Sequence, residues 1–352
     1  MISINIKAIC MLLRHSPLTA NDLRQCLRIA TGGTIGFTLC KLFGWSNGVF
    51  FTVTPMLLLG LVPVISGHAV RQLLASSAIA GLEVGLLGGF FGSHPGIMTP
   101  IVFLLFLYRF AAMSRGSLFL FGANGVLSLS IMLHFASYPG TDLNDLIFSN
   151  FWATGLSVII AYLMTALWPD VEPRAAYQPG PKAPHRMRHE ALLGASIATL
   201  SFLVFQIFDL RDSMSAQATT LLLLFPMHWN GALDYARKRA IGTLLGVSFG
   251  VMVQLFLYDW SGLLILIVPL LWLGLMLFAQ AHVKEASGSG VGFGAMTTLG
   301  ILFGQYLTPG NDLIFSALYR VSSIFVAIVA TLFLCYLLHK LLNSFEATRF
   351  GY

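Results

Sequence analysis

One carboxylate, Glu83, stands deep within an apolar stretch of the chain. A charge in the hydrocarbon core of a membrane costs on the order of 3 kcal/mol even on permissive insertion scales, so its surroundings must compensate for it. At helical spacing Glu83 lies about 200° from both Gly81 and Gly85, and therefore faces away from them. A carboxyl group in such a place can take up and release a proton near neutral pH. Glu83 is thus a candidate for proton coupling; the alternative is a structural Glu bonded to a neighbouring helix.

Three basic residues in or beside apolar runs could bind an anion. Lys41 and Arg320 fall inside such runs, and Arg109 lies at the end of one. The alternative is that Lys41 and Arg320 extend to the membrane interface and that Arg109 is a topology anchor. Asn124 and Asn230 add uncharged groups within or near apolar runs, which either bind a carboxylate or hold helices together.

The chain matches the sequence motifs of enzyme active sites poorly. Five residues separate His228 from Asp234, one more than the His-x4-Asp spacing of many acyltransferases requires. His185 and His189 lie one helical turn apart beside Glu190, but their order is neither His-Glu-x-x-His nor its inversion. The chain also lacks a glycine-rich phosphate loop. We therefore predict no enzyme activity, no catalytic residue, no cofactor and no metal site.

The composition indicates an integral membrane protein. Apolar residues make up 57% of the chain, charged residues 10%, and the mean hydropathy is +0.81, whereas soluble domains carry about 25% charged residues. Apolar runs long enough to cross the hydrocarbon core, about 17 to 25 residues, predict an all-α protein with about 12 transmembrane helices. The predicted spans are 28–46, 49–66, 72–92, 97–114, 117–135, 147–168, 191–209, 214–231, 239–258, 261–282, 288–307 and 314–341.

The chain is built twice from one unit, because residues 144–149 recur unchanged at 311–316. Six spans return the chain to the same side, so the two repeats should be related by a pseudo-two-fold axis along the membrane normal. The predicted organisation is a cytoplasmic N-terminal segment with an interfacial helix at 1–27, six-helix repeats at 28–168 and 191–341, a proline-rich cytoplasmic linker at 169–190 and a cytoplasmic tail at 342–352.

The distribution of basic residues predicts the orientation. With a cytoplasmic amino terminus, all but three of the 20 Lys and Arg residues lie on the inner side; the exceptions are Lys41, Arg211 and Arg320. Both termini should then be cytoplasmic. The net charge of +6 belongs to the inner face and does not indicate nucleic-acid binding.

Small residues recur every four positions in spans three and nine, which lets helix backbones approach closely. These stripes consist of Ser77, Gly81 and Gly85, and of Gly242, Gly246 and Gly250. Two arrangements are open: the third and ninth spans pack together near the pseudo-axis, or each stripe packs within its own half.

Arg239, Gly242, Thr243 and Gly246 match an Arg-x-x-Gly-Thr-x-x-Gly pattern. Through this motif and the six-span repeat, the chain resembles the fusaric acid resistance and aromatic acid exporter family along most of its length. The resemblance implies a multi-pass protein of the bacterial inner membrane that exports small aromatic acids. It also implies a periplasmic adaptor of the membrane fusion type.

The resulting hypothesis is a secondary exporter, coupled to protons, that moves small organic and mainly aromatic anions or toxic compounds out of the cytoplasm, alone or as a homo-oligomer. A first alternative is a passive anion channel lined by Lys41, Arg109 or Arg320, since the six-span plant malate channels are similar, more distantly. A second alternative is a membrane subunit or scaffold of an efflux assembly that transports nothing by itself.

Overall fold

The computed structural model describes residues 18–350, except 63, 93, 139, 175–179, 181, 211–212, 258–259, 261, 286–289 and 307–312, and without the side chains of 305–306 and 313–317. The described residues form helices and turns without a strand. In chain order the twelve α-helices of this part are α1 Ala20–Phe43, α2 Gly48–Leu61, α3 Gly67–Phe91, α4 Pro95–Ser114, α5 Phe119–Ala136, α6 Leu143–Leu167, α7 Pro184–Ile207, α8 Met214–Leu223, α9 Trp229–Leu257, α10 Leu264–Lys284, α11 Val291–Ile301 and α12 Leu313–Asn343.

Each predicted span has its helix, but several boundaries differ. Helix α1 begins at Ala20 rather than at residue 28, because Thr19 forms a capping box with Asp22. Helix α7 begins at Pro184, inside the predicted linker, since proline is well suited to the first turn of a helix. The predicted interfacial helix falls mostly within residues 1–17, outside the described part of the chain.

By length and hydropathy the described helices fall into three groups: eight long apolar helices, the long but less apolar α1, and three shorter helices. Within the described residues, eight helices are long and apolar enough to cross a membrane: α3 to α7, α9, α10 and the part of α12 from Leu318 to Asn343. Large apolar side chains stand exposed on these helices, as at Leu82, Phe90, Phe256 and Val326, where lipid would cover them. The chain is therefore an all-helical membrane protein with several crossings.

Helices α2, α8 and α11 are shorter and lie inside the molecule. Helix α8 has only ten residues, and every residue of α8 and of α11 is buried. Helix α11 continues as a π-helix from Leu302 to Tyr306. Since about 20 residues are needed to cross the hydrocarbon core, these short helices depend on the surrounding long helices for their place in the membrane.

The part of the chain before the linker packs against the part after it through pairs of helices. Helix α1 lies on α10, where the Trp272 indole donates a hydrogen bond to Thr31 Oγ1 at 3.1 Å. Helix α4 lies on α7, where the Phe110 ring occupies the space beside Gly194. The short helices lie at the centre, where α2 packs against α11 and α8 packs against the long helix α5.

Candidate functional site

A cavity of about 70 Å³ lies where the two parts of the chain meet. A buried cavity of this size holds several water molecules. Its walls come from α2, α5 and α6 on one side and from α8, α9 and α11 on the other. The polar lining residues are Thr54, Asn124, Ser128, Asn150, Thr154, Arg239 and Thr297.

The apolar lining repeats at a constant spacing along the chain. Three pairs of lining side chains, from α2 and α8, are each separated by 165 residues: Val49 and Met214, Val53 and Ala218, and Leu57 and Leu222. The glycines at 81 and 246 have the same separation. The two short helices thus present corresponding positions to one cavity.

Arg239 is the single cation among the described lining residues, and no carboxylate lines the cavity with it. Its side chain is fully buried. Nη1 donates to Thr297 Oγ1 at 2.5 Å and to the Gly294 carbonyl at 3.2 Å, and Nε donates to Thr219 Oγ1 at 3.3 Å. Nη2 has no hydrogen-bond partner in the described part of the molecule. The guanidinium therefore keeps its positive charge without a counter-ion from these residues.

The opposite wall carries amides and hydroxyls. Asn124 Nδ2 donates to Ser76 Oγ at 2.6 Å and, more weakly, to Ser77 Oγ at 3.4 Å. Ser77 Oγ in turn lies 2.7 Å from Thr154 Oγ1. The last member, Asn150, is buried, and its Oδ1 has no partner among the described residues. This wall offers a hydrogen-bond acceptor and no charge.

The glycine motif positions Arg239. A Cβ at Gly242 would lie 2.5 Å from the Val291 carbonyl oxygen, and one at Gly246 would lie 2.6 Å from that of Ala295. Helix α9 therefore touches the backbone of α11, which brings the guanidinium to Gly294 and Thr297. Thr243 is fully buried on the same face, and a Cβ at Gly250 would lie 3.1 Å from Leu302.

The two stripes of small residues pack within their own halves, which is the second of the two arrangements that the sequence left open. A Cβ at Gly81 would lie 2.9 Å from Ile147 of α6, and one at Gly85 would lie 3.8 Å from the same side chain. Ser77, the third member, contacts Thr154 of α6 and Asn124 of α5. The glycine stripes thus join α3 to α6 and α9 to α11.

Glu83 lies away from the cavity and pairs with Arg109. The Arg109 Nη2 atom donates to Glu83 Oε2 at 2.6 Å, which joins α3 to α4. Arg109 is fully buried, and its guanidinium carbon lies 4.8 Å from the centre of the Phe121 ring. The ion pair supplies the compensation that a charge at this depth requires, and it is the contact expected for a structural Glu.

The other predicted anion-binding residues lie elsewhere. Lys41 stands near the end of α1, 5.9 Å from the centre of the Phe37 ring, and Arg320 is buried in α12. Asn230 belongs to the first turn of α9 rather than to the eighth span. It lines an open groove with Trp229 and Lys340. Of the five proposed ligands, only Asn124 lines the central cavity.

Sequence reasoning missed Arg239 as a cavity cation, since the run from Arg237 to Arg239 resembles a surface cluster. Helix α9 begins at Trp229, so Arg239 lies ten residues, about 15 Å, inside the helix. Helical phase could have separated it from Lys238, because Ala232, Tyr235, Arg239 and Gly242 all fall on the buried face.

In comparison with known proteins, the first part of the chain matches an uncharacterised family. Residues 25–164, less than half of the chain, match a family model described as a protein of unknown function, DUF2955. The matched stretch runs from α1 to α6 and includes Glu83, Asn124 and Asn150. No curated protein and no solved structure matches the chain.

Proposed function

We propose that the protein is a secondary transporter of small organic anions, and that the anion binds in the central cavity against Arg239. The observation that carries this proposal is the buried guanidinium without a carboxylate partner in a membrane-embedded cavity. A buried cation that nothing neutralises is strongly destabilising, and an anionic ligand would remove that cost. A carboxylate or sulfonate suits this site, because its oxygens carry the negative charge and accept the hydrogen bonds that Nη2 leaves unused.

The two-repeat organisation is part of the same proposal. Helix contacts occur in corresponding pairs: α3 with α5 and α9 with α11, α2 with α6 and α8 with α12, and α4 with α7 and α10 with α1. The equal spacing of the cavity residues in α2 and α8 supports the same correspondence. We place the pseudo-two-fold axis through the cavity, along the membrane normal. Transporters with such parallel repeats bind their substrates between the halves, near the middle of the membrane.

Twelve crossings, with both termini in the cytoplasm of a bacterium, complete the proposed architecture. Short helices such as α2, α8 and α11 are tolerated at membrane depth because protein surrounds them. A cavity of about 70 Å³ is smaller than an aromatic acid. In the proposal the halves therefore move apart to widen the cavity when a substrate enters.

We further propose that transport is outward and driven by protons, with Glu83 as the coupling residue. In this conformation Glu83 accepts a hydrogen bond from Arg109. We place proton uptake by the carboxylate at the moment when this pair opens, which requires a movement of α3 against α4. Opening of this ion pair is thus the step at which protonation and transport would be linked.

The test is uptake of radiolabelled benzenesulfonate into proteoliposomes with an acidic interior. This probe stays ionised and does not cross lipid unaided, so any uptake depends on the protein. Arg239→Gln should reduce uptake at least tenfold, and Arg239→Lys should retain part of it because the charge remains. Lys238→Gln is the matched control: it removes a neighbouring charge that pairs with exposed Asp234 at 2.9 Å, and should leave uptake within twofold.

The results also separate the alternatives. Uptake by Arg239→Gln at the unmodified rate would contradict the site. Currents carried by benzenesulfonate and independent of the pH gradient would identify a channel, although Lys41, Arg109 and Arg320 do not line the cavity. No uptake by a well-folded, monodisperse protein, with uptake restored by a second protein, would identify a subunit of a larger assembly.

A further inference from the structure

The charge on the cavity wall is unequally divided between the two halves of the protein. At the spacing of 165 residues that relates the other lining residues, the position corresponding to Arg239 is Leu74. Leu74 is apolar and packs against the core that surrounds α1. One half thus contributes a cation to the cavity, and the corresponding position of the other half contributes none.

The opposite wall has no positive charge to receive a second anionic group. Asn150 lines the cavity and is buried, and its Oδ1 is an acceptor without a partner in the described part of the chain. The donor atom of Asn124 is already used by Ser76 and Ser77. An anionic group placed against this wall would meet amides, hydroxyls and apolar side chains such as Phe50 and Leu127, and no cation among the described lining residues.

From this arrangement we infer that the cavity selects organic monoanions and rejects dianions of the same size and shape. The inference rests on the proposed function and specifies its substrate class. One guanidinium neutralises one carboxylate or sulfonate, whereas a second anionic group would be buried without a counter-ion, at a large cost in affinity. Specificity then comes as much from the lack of a second cation on the Asn150 wall as from the attraction of Arg239.

The test compares benzenesulfonate with benzene-1,3-disulfonate, which adds a second fixed charge to the same ring. The size control is 3-sulfamoylbenzenesulfonate, whose uncharged sulfonamide has nearly the volume of the second sulfonate. Binding is measured on the purified full-length protein in lipid nanodiscs, from the rise in melting temperature with ligand concentration. We expect the disulfonate to bind at least tenfold more weakly than benzenesulfonate and than the size control. Equal or tighter binding of the disulfonate relative to the size control would overturn the inference.

A single-residue change tests the role of the uncharged wall. Asn150→Asp places a carboxylate in the cavity, where it should neutralise Arg239 and weaken benzenesulfonate binding at least tenfold. Asn144→Asp makes the same change at an exposed position of the same helix and should leave binding unaltered. If Asn150→Asp folds and binds benzenesulfonate as the unmodified protein does, the inference is wrong.

The experiments distinguish a failure of the monoanion inference from a failure of the proposed function. Selective binding of benzenesulfonate that depends on Arg239, without transport in proteoliposomes, supports monoanion selection and contradicts the transporter. Transport of both probes at equal rates supports the transporter and contradicts monoanion selection. Binding of neither probe by a folded protein contradicts both.

Discussion

Two arginines among the described residues are fully buried, and they differ in their partners. Arg109 has a carboxylate, Glu83, at 2.6 Å. Arg239 has hydroxyl and carbonyl oxygens, and its Nη2 has no partner among the described residues. The first arrangement is neutral in total, whereas the second keeps a positive charge. This difference is why we assign substrate binding to Arg239 and coupling to the Glu83 pair.

Glu83→Gln tests the coupling role. The change leaves Arg109 buried without its partner, so the melting temperature should fall; loss of one member of a buried ion pair costs about 3 to 5 kcal/mol. Exchange of benzenesulfonate at equal pH should persist, because Glu83 is not among the residues that line the cavity, while uptake driven by a pH gradient should be lost. Glu172→Gln, which alters an exposed carboxylate, is the control. Persistent pH-driven uptake by Glu83→Gln would make Glu83 purely structural.

At the scale of the helices, close approach of α9 to α11 brings the Arg239 guanidinium to its partners. Gly242 and Gly246 leave room for backbone contact, and any side chain there would push the helices apart. Since Arg239 lies on the face that α11 covers, a shift of α9 would also withdraw the guanidinium from Thr297. The glycine motif therefore determines both packing and site geometry.

Gly246→Ala tests this packing. Its Cβ would lie 2.6 Å from the Ala295 carbonyl oxygen, so the helices must separate, at a cost of about 1 to 3 kcal/mol typical of overpacking. Melting of the purified protein should occur at a lower temperature, with weaker binding of benzenesulfonate. Gly155→Ala, also helical but with no heavy atom within 4 Å of the added carbon, should show neither effect. Similar behaviour of the two variants would mean that α9 and α11 are not in close contact.

The element order could be predicted from sequence to a useful extent, because each helix follows an apolar run. The length of α8 could not, since the run from 214 to 231 is continuous in hydropathy. The helix ends at Leu223 in turns around Pro226, and Met227 adopts a positive φ of 58°.

The buried face of α9 could be predicted from helical phase, but the choice of α11 as its neighbour depends on tertiary contacts. Asn150 gave no sequence signal, because an asparagine in a span is equally compatible with helix packing.

At the scale of the whole molecule, helices that occupy corresponding places in the two halves surround one cavity, and we place the axis through it. Polar contacts stabilise the chain where the first half begins and ends and where the second half begins. Arg28 pairs with Asp170 and donates to the Trp168 carbonyl, whereas Glu190 accepts hydrogen bonds from Lys182 and Arg186. The proposed orientation puts both clusters on the cytoplasmic side, in agreement with the rule for positive residues.

Cysteine labelling tests this orientation. In a variant with Cys10→Ser, a membrane-impermeant thiol reagent should label Asp142→Cys in intact cells. Arg174→Cys and Lys238→Cys should react only after lysis, because we place them in the cytoplasm. The native Cys26, Cys40 and Cys335 are buried and should add little background. Labelling of Arg174→Cys in intact cells would invert the proposed topology.

The central claim is that an organic anion occupies the cavity against Arg239. The most direct measurement is a structure of the full-length protein in lipid with 4-iodobenzenesulfonate, whose iodine identifies the ligand by anomalous scattering. The account predicts density between α2, α5, α8 and α11, with a sulfonate oxygen within about 3 Å of an Arg239 nitrogen. Iodine located only at another place, such as the groove beside Lys340, with the Arg239 cavity unoccupied at saturating ligand, would contradict it.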